Sequence, residues 1–320
     1  MPSSNVPWSS GLLTRLNPWF PGQFGVPGTD NDTGLRLDSN GIILYVDPNH
    51  VDNNDNRDGT DPTAPLTTVA KALTLCRAYR NDTIVVAPSS RWVHDDVTVG
   101  RATAVAEEVV VTVPGVRIVG LHPSSSLGVN WQPLTTSGVC ITVQAMNVLI
   151  EGFCFWTRTV VTPVAIKSEW TGAGEYYGDN LTVRNCYFDT GLDYGIQMDF
   201  TYYANIHHNR FDGALTAAIH NLNVTGDPDY AMIHDNMFNS NTAAINLLDS
   251  SHCFIYNNLI YGDETGASNM INLTGGGGNL VAHNVLSCSK LQYLTTCSDN
   301  GSGAWVQNYC IDGPTVANPT

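Results

Sequence analysis

Four polar residues on three neighbouring segments could act on a polysaccharide. Lys167 and Glu169 lie in VAIKSE, Asp199 ends IQMD, and His220 lies in AAIHNL. Two carboxylates on adjacent turns of a repeat could serve as acid and base in glycoside hydrolysis, and Lys167 with His220 could serve β-elimination. The alternative interpretation is a polar solvent face, because the row lacks dense Asp, Arg and Lys clusters and aromatic platforms. The sequence therefore predicts solvated carboxylates at positions 169 and 199 and no catalytic residue, with these four as candidates if the chain is an enzyme.

A ladder of isoleucines positions these candidates. Each isoleucine is followed two residues later by a mostly apolar residue, and this period of two predicts short strands with one face inward. The outward row between them comprises Thr142, Lys167, Gln197, His220, Asn246 and Asn272. The ladder consists of Ile141, Ile166, Ile196, Ile219, Ile245 and Ile271.

A second repeat has an aliphatic residue, Asn three positions later and an apolar residue five positions later. Ile206, Asn209 and Phe211 are the template. The asparagines are predicted to stack as an inward ladder at one corner, where each side-chain amide can bond the next. Three further segments keep the apolar ends but replace Asn: Val183–Cys186–Phe188, Ile150–Phe153–Phe155 and Val306–Tyr309–Ile311. The four predicted ladder residues are Asn209, Asn236, Asn258 and Asn284.

Short strands repeating about every 25 residues predict an all-β chain coiled into a solenoid. The segments YVDPNHVDNNDNRDGTDPTAPLTTVAKAL, DTIVVAP and VPGVRIVGL, followed by the I-x-x-N-x-F coils, resemble the right-handed parallel β-helix (pectate-lyase-like) superfamily. In layout the chain is most similar to β-helix proteins of phage virions. The resemblance implies a single right-handed parallel β-helix over 43–312 with a capping helix at about 65–80. An extended Pro/Trp-rich arm (1–42) precedes it and a tail (313–320) follows.

Composition excludes some partners. The 320 residues carry 14 basic and 29 acidic side chains, a net charge of −15. A chain this acidic is not expected to bind nucleic acid or an anionic membrane surface. No apolar run reaches the length of a membrane span. The N-terminus has no basic segment followed by an apolar one, so no signal peptide is predicted.

Three weaker motifs suggest metal or disulfide chemistry. His207 and His234 fall at equivalent repeat positions and could form a metal pair, but no third ligand is evident. The segment DNNDNRDGTD matches only the first half of a calcium loop, so turns are the better interpretation. The eight cysteines form no CxxC pair and are expected mostly as buried thiols, with a Cys288–Cys297 bridge as the minor alternative.

The arm before the β-helix combines prolines with large apolar residues. Prolines exclude a long helix, and disordered tails are poor in such apolar residues. The arm is therefore expected either to pack along its own β-helix or to anchor the chain to a neighbour. Its candidate anchor residues are Trp8, Leu12, Leu13, Leu16, Trp19, Phe20 and Phe24.

The leading functional hypothesis is a non-enzymatic structural protein of a phage particle, of the head-decoration or tail-spike type. It predicts a homotrimer on the virion surface that contacts capsid or tail subunits, and no cofactor. One alternative is a polysaccharide lyase or glycoside hydrolase acting on the outer face. Another is a carbohydrate-binding adhesin that contacts a host surface glycan, secreted or on a cell surface.

Overall fold

The strands stack into three parallel sheets, so the predicted all-β parallel β-solenoid is confirmed. The structure is a computed structural model. It describes residues 41–87, 105–121, 129–135, 138–157, 163–169, 178–189, 191–213, 216–222, 228–239, 241–262, 269–288, 297–299, 303–311 and 313–314. The predicted arm, apart from its last two residues, lies outside these ranges, and so do all of its candidate anchor residues.

Each turn of the solenoid, here called a coil, contributes one short strand to successive sheets. Sheet 1 contains β1 (Ile43–Val46), β2 (Thr83–Val86), β5 (Arg117–Gly120), β8 (Leu149–Glu151), β11 (Thr182–Arg184), β14 (Asn205–His207), β17 (Met232–His234), β20 (Phe254–Tyr256), β23 (Leu280–Ala282) and β26 (Ala304–Val306). Sheet 2 contains β4 (Val109–Val111), β7 (Val139–Val143), β10 (Val164–Ser168), β13 (Tyr194–Met198), β16 (Ala217–His220), β19 (Ala243–Leu248), β22 (Asn269–Thr274) and β25 (Cys297–Asp299). Sheet 3 contains β3 (Val105–Ala106), β6 (Val129–Gln132), β9 (Phe153–Phe155), β12 (Tyr187–Phe188), β15 (Arg210–Asp212), β18 (Met237–Asn239), β21 (Leu259–Tyr261), β24 (Val285–Leu286), β27 (Tyr309–Cys310) and the antiparallel β28 (Gly313–Pro314).

The isoleucine ladder lies in register on sheet 2. Ile166 pairs with Ile141 and Ile196, and the pairing continues through Ile219 and Ile245. All of these side chains are buried. Because side chains alternate across a strand, the residue after each isoleucine points to the outer face.

The asparagine ladder occupies the corner between sheets 1 and 3. Asn236 Nδ2 donates to Ile206 O at 2.9 Å and to Asn258 Oδ1 at 3.0 Å, while Asn236 Oδ1 accepts from the backbone N–H of Asn209 at 3.0 Å. The same bonds join Asn258 to Asn284 and Asn284 to Asn308. Each side-chain amide therefore provides hydrogen bonds to backbone N–H and C=O groups at a tight corner, where strand pairing cannot provide them.

Aromatic rings stack behind the asparagines. The rings of Phe188 and Phe211 lie 4.5 Å apart and those of Phe211 and Phe238 lie 4.8 Å apart, in nearly parallel planes. Ile260 continues this column in register with Phe238. All four side chains are buried, so the column is the apolar centre of the sheet 3 wall.

The last predicted repeat is wrong by one residue. Trp305, not Val306, pairs with Val281 and points inward, and Asn308, not Tyr309, fills the ladder slot. Val306, Tyr309 and Ile311 are exposed. The pattern misled because apolar residues occur on both faces of this final coil.

A short helix, α1 (Val69–Leu75), packs Val69, Ala72 and Leu73 against the first coils. It is shorter than the predicted 65–80. The N-cap is Thr68, whose hydroxyl accepts from Lys71 N at 3.1 Å. Cys76 adopts an extended conformation and ends the helix. None of the described helices is long and apolar enough to cross a membrane.

Candidate functional site

The outer face of sheet 2 carries a row of polar side chains, called here the polar face. Its residues come from equivalent positions of successive strands, so they repeat at the spacing of parallel strands, about 4.8 Å. Lys167 pairs with Gln197, Gln197 with His220, and His220 with Asn246. The row comprises Thr142, Lys167, Gln197, His220, Asn246, Asn272 and Ser298.

His220 is the buried centre of the polar face. Its imidazole stacks on the ring of Tyr194 from the preceding coil, with centroids 3.8 Å apart and planes 16° apart. The side chain is only 1% exposed, and burial lowers the pKa of His220 to about 3. Its Nε2 is buried and has no hydrogen-bond partner among the residues that the structure describes. The ring is therefore neutral near pH 7, and its Nε2 is unsatisfied as far as the described part of the chain goes.

Asp199 is not the solvated carboxylate that the sequence predicted. It is buried, accepts from the side-chain amide of Gln197 and accepts from the backbone N–H of Leu222 at 2.9 Å. Leu222 belongs to the next coil, two residues after His220. Asp199 thus connects the His220 strand to its own strand instead of facing water.

Glu169 is the more accessible carboxylate of the polar face. Its side chain is 41% exposed, and Lys167 Nζ lies 2.9 Å from Glu169 Oε1. Hydrogen bonding and charge from Lys167 lower the pKa of Glu169, and a bond from Gln144 adds to this. Because Ser168 pairs with Met198, Glu169 and Asp199 follow neighbouring strands at the same level. The structure therefore brings together all four candidates, Lys167, Glu169, Asp199 and His220, on one face.

Beyond His220 the row continues as hydrogen-bonded polar groups. Asn272 Nδ2 donates to Asn246 Oδ1 at 2.7 Å, and the hydroxyl of Ser298 donates to Asn272 Oδ1. These side chains are partly exposed. The polar face therefore offers planar amides and hydroxyls at a regular spacing along the solenoid axis.

The chemistry of the polar face follows from these charges. Glu169 is ionised at neutral pH and suits the role of a base or nucleophile, whereas His220 is held neutral and suits hydrogen bonding. Within the described ranges, no group of three His, Cys, Asp or Glu side chains is arranged to hold a metal ion. The arrangement can bind hydroxyl groups through carboxylates, amides and an imidazole.

His207 and His234, the candidate metal pair, lie on the outer face of sheet 1 and do not converge. Their rings are parallel, 5.0 Å apart, and His234 stacks in turn on Tyr256 at 4.7 Å. His234 Nδ1 lies 2.7 Å from Asp235 Oδ2, and its Nε2 lies 3.0 Å from Asn205 Oδ1. The nitrogens of parallel rings do not point toward a common metal position. The two histidines therefore form a ring stack rather than a metal site.

The corner leading into sheet 1 carries a second ring stack. Tyr203 and Tyr230 lie 5.1 Å apart, and Tyr230 and His252 lie 5.0 Å apart. All three residues have positive φ values and exposed side chains. The sequence interpretation missed these aromatics, because residues at corners lie outside the period-two pattern.

Two residues that contact the candidates were not themselves among the predicted candidates. Tyr194 covers His220, and Gln197 binds Asp199. Gln197 belongs to the outward row of the sequence analysis, but an amide side chain is not an acid, a base or a nucleophile and was therefore not chosen as a candidate. Tyr194 begins its strand in register with Val164 and Ala217, and only that alignment could have singled it out.

The other predicted motifs are structural in the described residues. Asn54 and Asp58 each accept a backbone N–H two residues later, at 2.8 and 3.0 Å, as turn residues do. No disulfide joins the eight cysteines, and seven of them are buried. Cys288 Sγ lies 3.8 Å from Cys310 Sγ. The minor alternative, a Cys288–Cys297 bridge, is not formed.

No family model matches the chain, and no curated protein matches it. Among solved structures, it is similar to the surface protein and adhesin PfbA of Streptococcus pneumoniae, with 14% identity, TM-score 0.46, and coverage of 72% of this chain and 64% of that one. A second PfbA structure gives 13% identity, TM-score 0.44, and coverage of 72% and 60%. The chain thus spans less than two thirds of these PfbA structures.

The chain is also similar to DFA-IIIase from Arthrobacter chlorophenolicus A6, solved in complex with GF2. The identity is 14%, the TM-score 0.41, and the coverage 72% of this chain and 69% of that one. The expectation that the chain is not an enzyme is corrected on this ground, because an enzyme is among the structures of this fold. The likeness concerns the fold alone, a parallel β-helix.

Proposed function

We propose that the polar face of sheet 2 binds a saccharide. The observation that carries the proposal is the buried Nε2 of His220, which has no hydrogen-bond partner within the described ranges. Buried polar atoms in proteins are almost always hydrogen-bonded, and leaving one unpaired costs about 1–3 kcal/mol. A ligand hydroxyl at this atom would remove that cost, so the position is suited to a ligand.

The chemistry around His220 selects an uncharged, hydroxyl-rich ligand. The imidazole is neutral, and Lys167 is neutralised by Glu169. Asp199 is one of the 29 acidic residues that give the chain a net charge of −15. Acidic polysaccharides are therefore repelled, whereas a neutral polymer can use the amides of Asn246 and Asn272, which repeat along the axis.

Tyr194 covers one face of the imidazole that carries the proposed binding atom. Its ring lies flat on His220, so removing it would widen the approach to the imidazole. Replacing Tyr194 by Ala should open the site. We expect the Tyr194→Ala protein to bind at least as tightly as the wild type.

The test compares two histidines in isothermal titration calorimetry with a panel of neutral and acidic oligosaccharides. His220→Phe keeps a ring against Tyr194 but removes Nε2, and His252→Phe is the matched control in the exposed stack. We expect neutral ligands to bind, with at least roughly tenfold weaker affinity in His220→Phe, as for a lost buried hydrogen bond, and no change in His252→Phe. Equal affinities of the wild type and His220→Phe would reject the proposal.

Cleavage of the bound saccharide is a second candidate function. It is favoured by the position of Glu169 and Asp199 on neighbouring strands, a pairing of carboxylates that glycoside hydrolysis uses. The same ligands should be assayed for new reducing ends and for unsaturated products. Loss of product formation in Glu169→Gln or Asp199→Asn, with binding retained, would assign the chemistry to these carboxylates.

A saccharide-binding β-helix would act on a surface or after secretion, and we propose that location for the chain. The finer prediction, a homotrimer on a phage particle attached to capsid or tail subunits, comes from the resemblance in layout. Detection of the chain in purified particles tests the location. Light scattering at micromolar concentration tests the trimer, and a monomer mass of 34.6 kDa would contradict it.

A further inference from the structure

The C-terminal coil is the less protected end of the described solenoid. Its core residues Trp305 and Cys310 are 8% and 7% exposed, whereas most core residues of the central coils are completely buried. Among the described residues this coil has a neighbouring coil on one side only, and a coil with one neighbour opens more easily than one with two. Helix α1 packs on the first coils. The last described coil instead pairs its strand β27 with the two-residue strand β28.

Two buried thiols lie in contact at this end. Cys288 follows β24, Cys310 ends β27, and their Sγ atoms are 3.8 Å apart. The backbones are fixed beside each other, because Ile311 N donates to Cys288 O at 2.9 Å. A disulfide needs the sulfurs at about 2.05 Å. Bond formation therefore requires the two sulfurs to move closer together.

We propose that Cys288 and Cys310 form a disulfide when the protein meets an oxidising environment, and that this bond fastens the last coil to the one before it. Cys297, the partner that the sequence suggested, lies instead on sheet 2 in register with Ile271. The oxidant is a low-molecular-weight disulfide such as oxidised glutathione.

The reaction proceeds by two exchanges. The thiolate of Cys310, the more exposed of the pair, attacks one sulfur of the oxidised glutathione and releases one glutathione thiolate. The thiolate of Cys288 then attacks the Cys310 sulfur of the mixed disulfide and releases the second glutathione. Two thiol protons pass to solvent, and the two electrons reside on the two reduced glutathione molecules.

The effect of the bond should be local. The closed loop spans 22 residues, and the bond would restrict the open states of this segment. In a solenoid each coil contacts only its neighbours, so protection should rise in the last coils and not near α1. The proposal is independent of saccharide binding, because neither cysteine lies on the polar face.

The experiment uses the full chain, incubated with oxidised glutathione or with dithiothreitol and then alkylated in denaturant. We expect an intact mass lower by about 2 Da after oxidation, for two hydrogens lost, and a peptide linking Cys288 to Cys310. Amide hydrogen exchange in 303–311 should slow by at least roughly tenfold. Cys186→Ser, at another buried thiol, should still form the bond, whereas Cys310→Ser should not.

Three results would overturn the proposal. Both cysteines could remain fully alkylated after oxidation of the wild-type protein. The linked peptide could join Cys288 to Cys297. The bond could form without slowing exchange in 303–311. The peptide map of the wild type decides the first two even if a cysteine variant fails to fold.

Discussion

The imidazole of His220 lies flat on the phenol of Tyr194, with their centroids 3.8 Å apart. The two residues lie on neighbouring strands in the middle of sheet 2. Stacking keeps the imidazole out of water, and the same burial leaves Nε2 without a partner in the described residues. The contact that stabilises the coil therefore also maintains an unsatisfied polar atom.

Burial of His220 should make the protein sensitive to acid. Its folded pKa is lowered from 6.5 to about 3, and that of His207 is lowered to about 4 by burial and by the charges of His234, His208 and Arg184. Between these values and pH 6.5 the unfolded state binds more protons, so stability falls as pH drops. Each histidine should remove up to roughly 1.4 kcal/mol per pH unit in this window.

Urea unfolding at pH 7.5, 6 and 5 checks this sign. His220→Phe should lose less stability than the wild type between pH 6.5 and 5, because Phe cannot take up a proton. The exposed His252→Phe should follow the wild type. Parallel curves for the wild type and His220→Phe would contradict the prediction.

The ion pair of Arg184 and Glu151 should be worth more than a similar pair on sheet 3. Arg184 Nε and Nη2 lie 3.0 and 2.8 Å from Glu151 Oε2, and the Glu151 side chain is 4% exposed. Arg184→Met would leave a buried carboxylate and should cost about 3–5 kcal/mol. Arg210→Met breaks a more exposed pair with Asp212 and should cost at most about 1 kcal/mol. Equal losses of stability for the two variants in thermal unfolding would contradict this prediction. They would show that other groups stabilise the Glu151 carboxylate when Arg184 is absent.

The ring column of sheet 3 should dominate core stability. Phe211→Ala removes a buried ring stacked on both sides and should cost about 3–5 kcal/mol. Phe254→Ala, at a ring that is 43% exposed, is the control and should cost well under half of that. Equilibrium denaturation measures both. Similar losses would mean that the column does not act as the core of the wall.

The arm remains a prediction, since its anchor residues lie outside the described ranges. The β-helix has its own core from β1 onward, so a chain lacking residues 1–40 should fold. Circular dichroism should show unchanged strand signal and a cooperative transition. If the shortened protein aggregates or unfolds, the arm belongs to the core. If it folds and still attaches to its assembly, the anchor lies on the coils.

The repeat revealed the fold because the asparagine at its corner position has a structural role that few other residue types can fill. Only a side-chain amide can bond both the next amide and the corner backbone, so Asn209 and Asn236 at one offset predict a corner. The final coil was misaligned because Trp305 and Val306 are both apolar. The burial of Asp199 could not be predicted from the sequence repeat. Its partner, the backbone N–H of Leu222, comes from the next coil, and the repeat does not show contacts between coils.

The asparagine ladder also allows the length of the solenoid to be changed by whole coils. Asn236, Asn258 and Asn284 each make the same bonds to the asparagine before and after them, so none of these three is specific to its place. Removing the 22 residues from one rung to the next, such as 237–258, would bring Asn236 against Asn284 with the same partners. The molecule would shorten by about 4.8 Å, one strand spacing, and keep both ends. Whole coils could therefore be deleted or duplicated while the remaining coils keep their contacts.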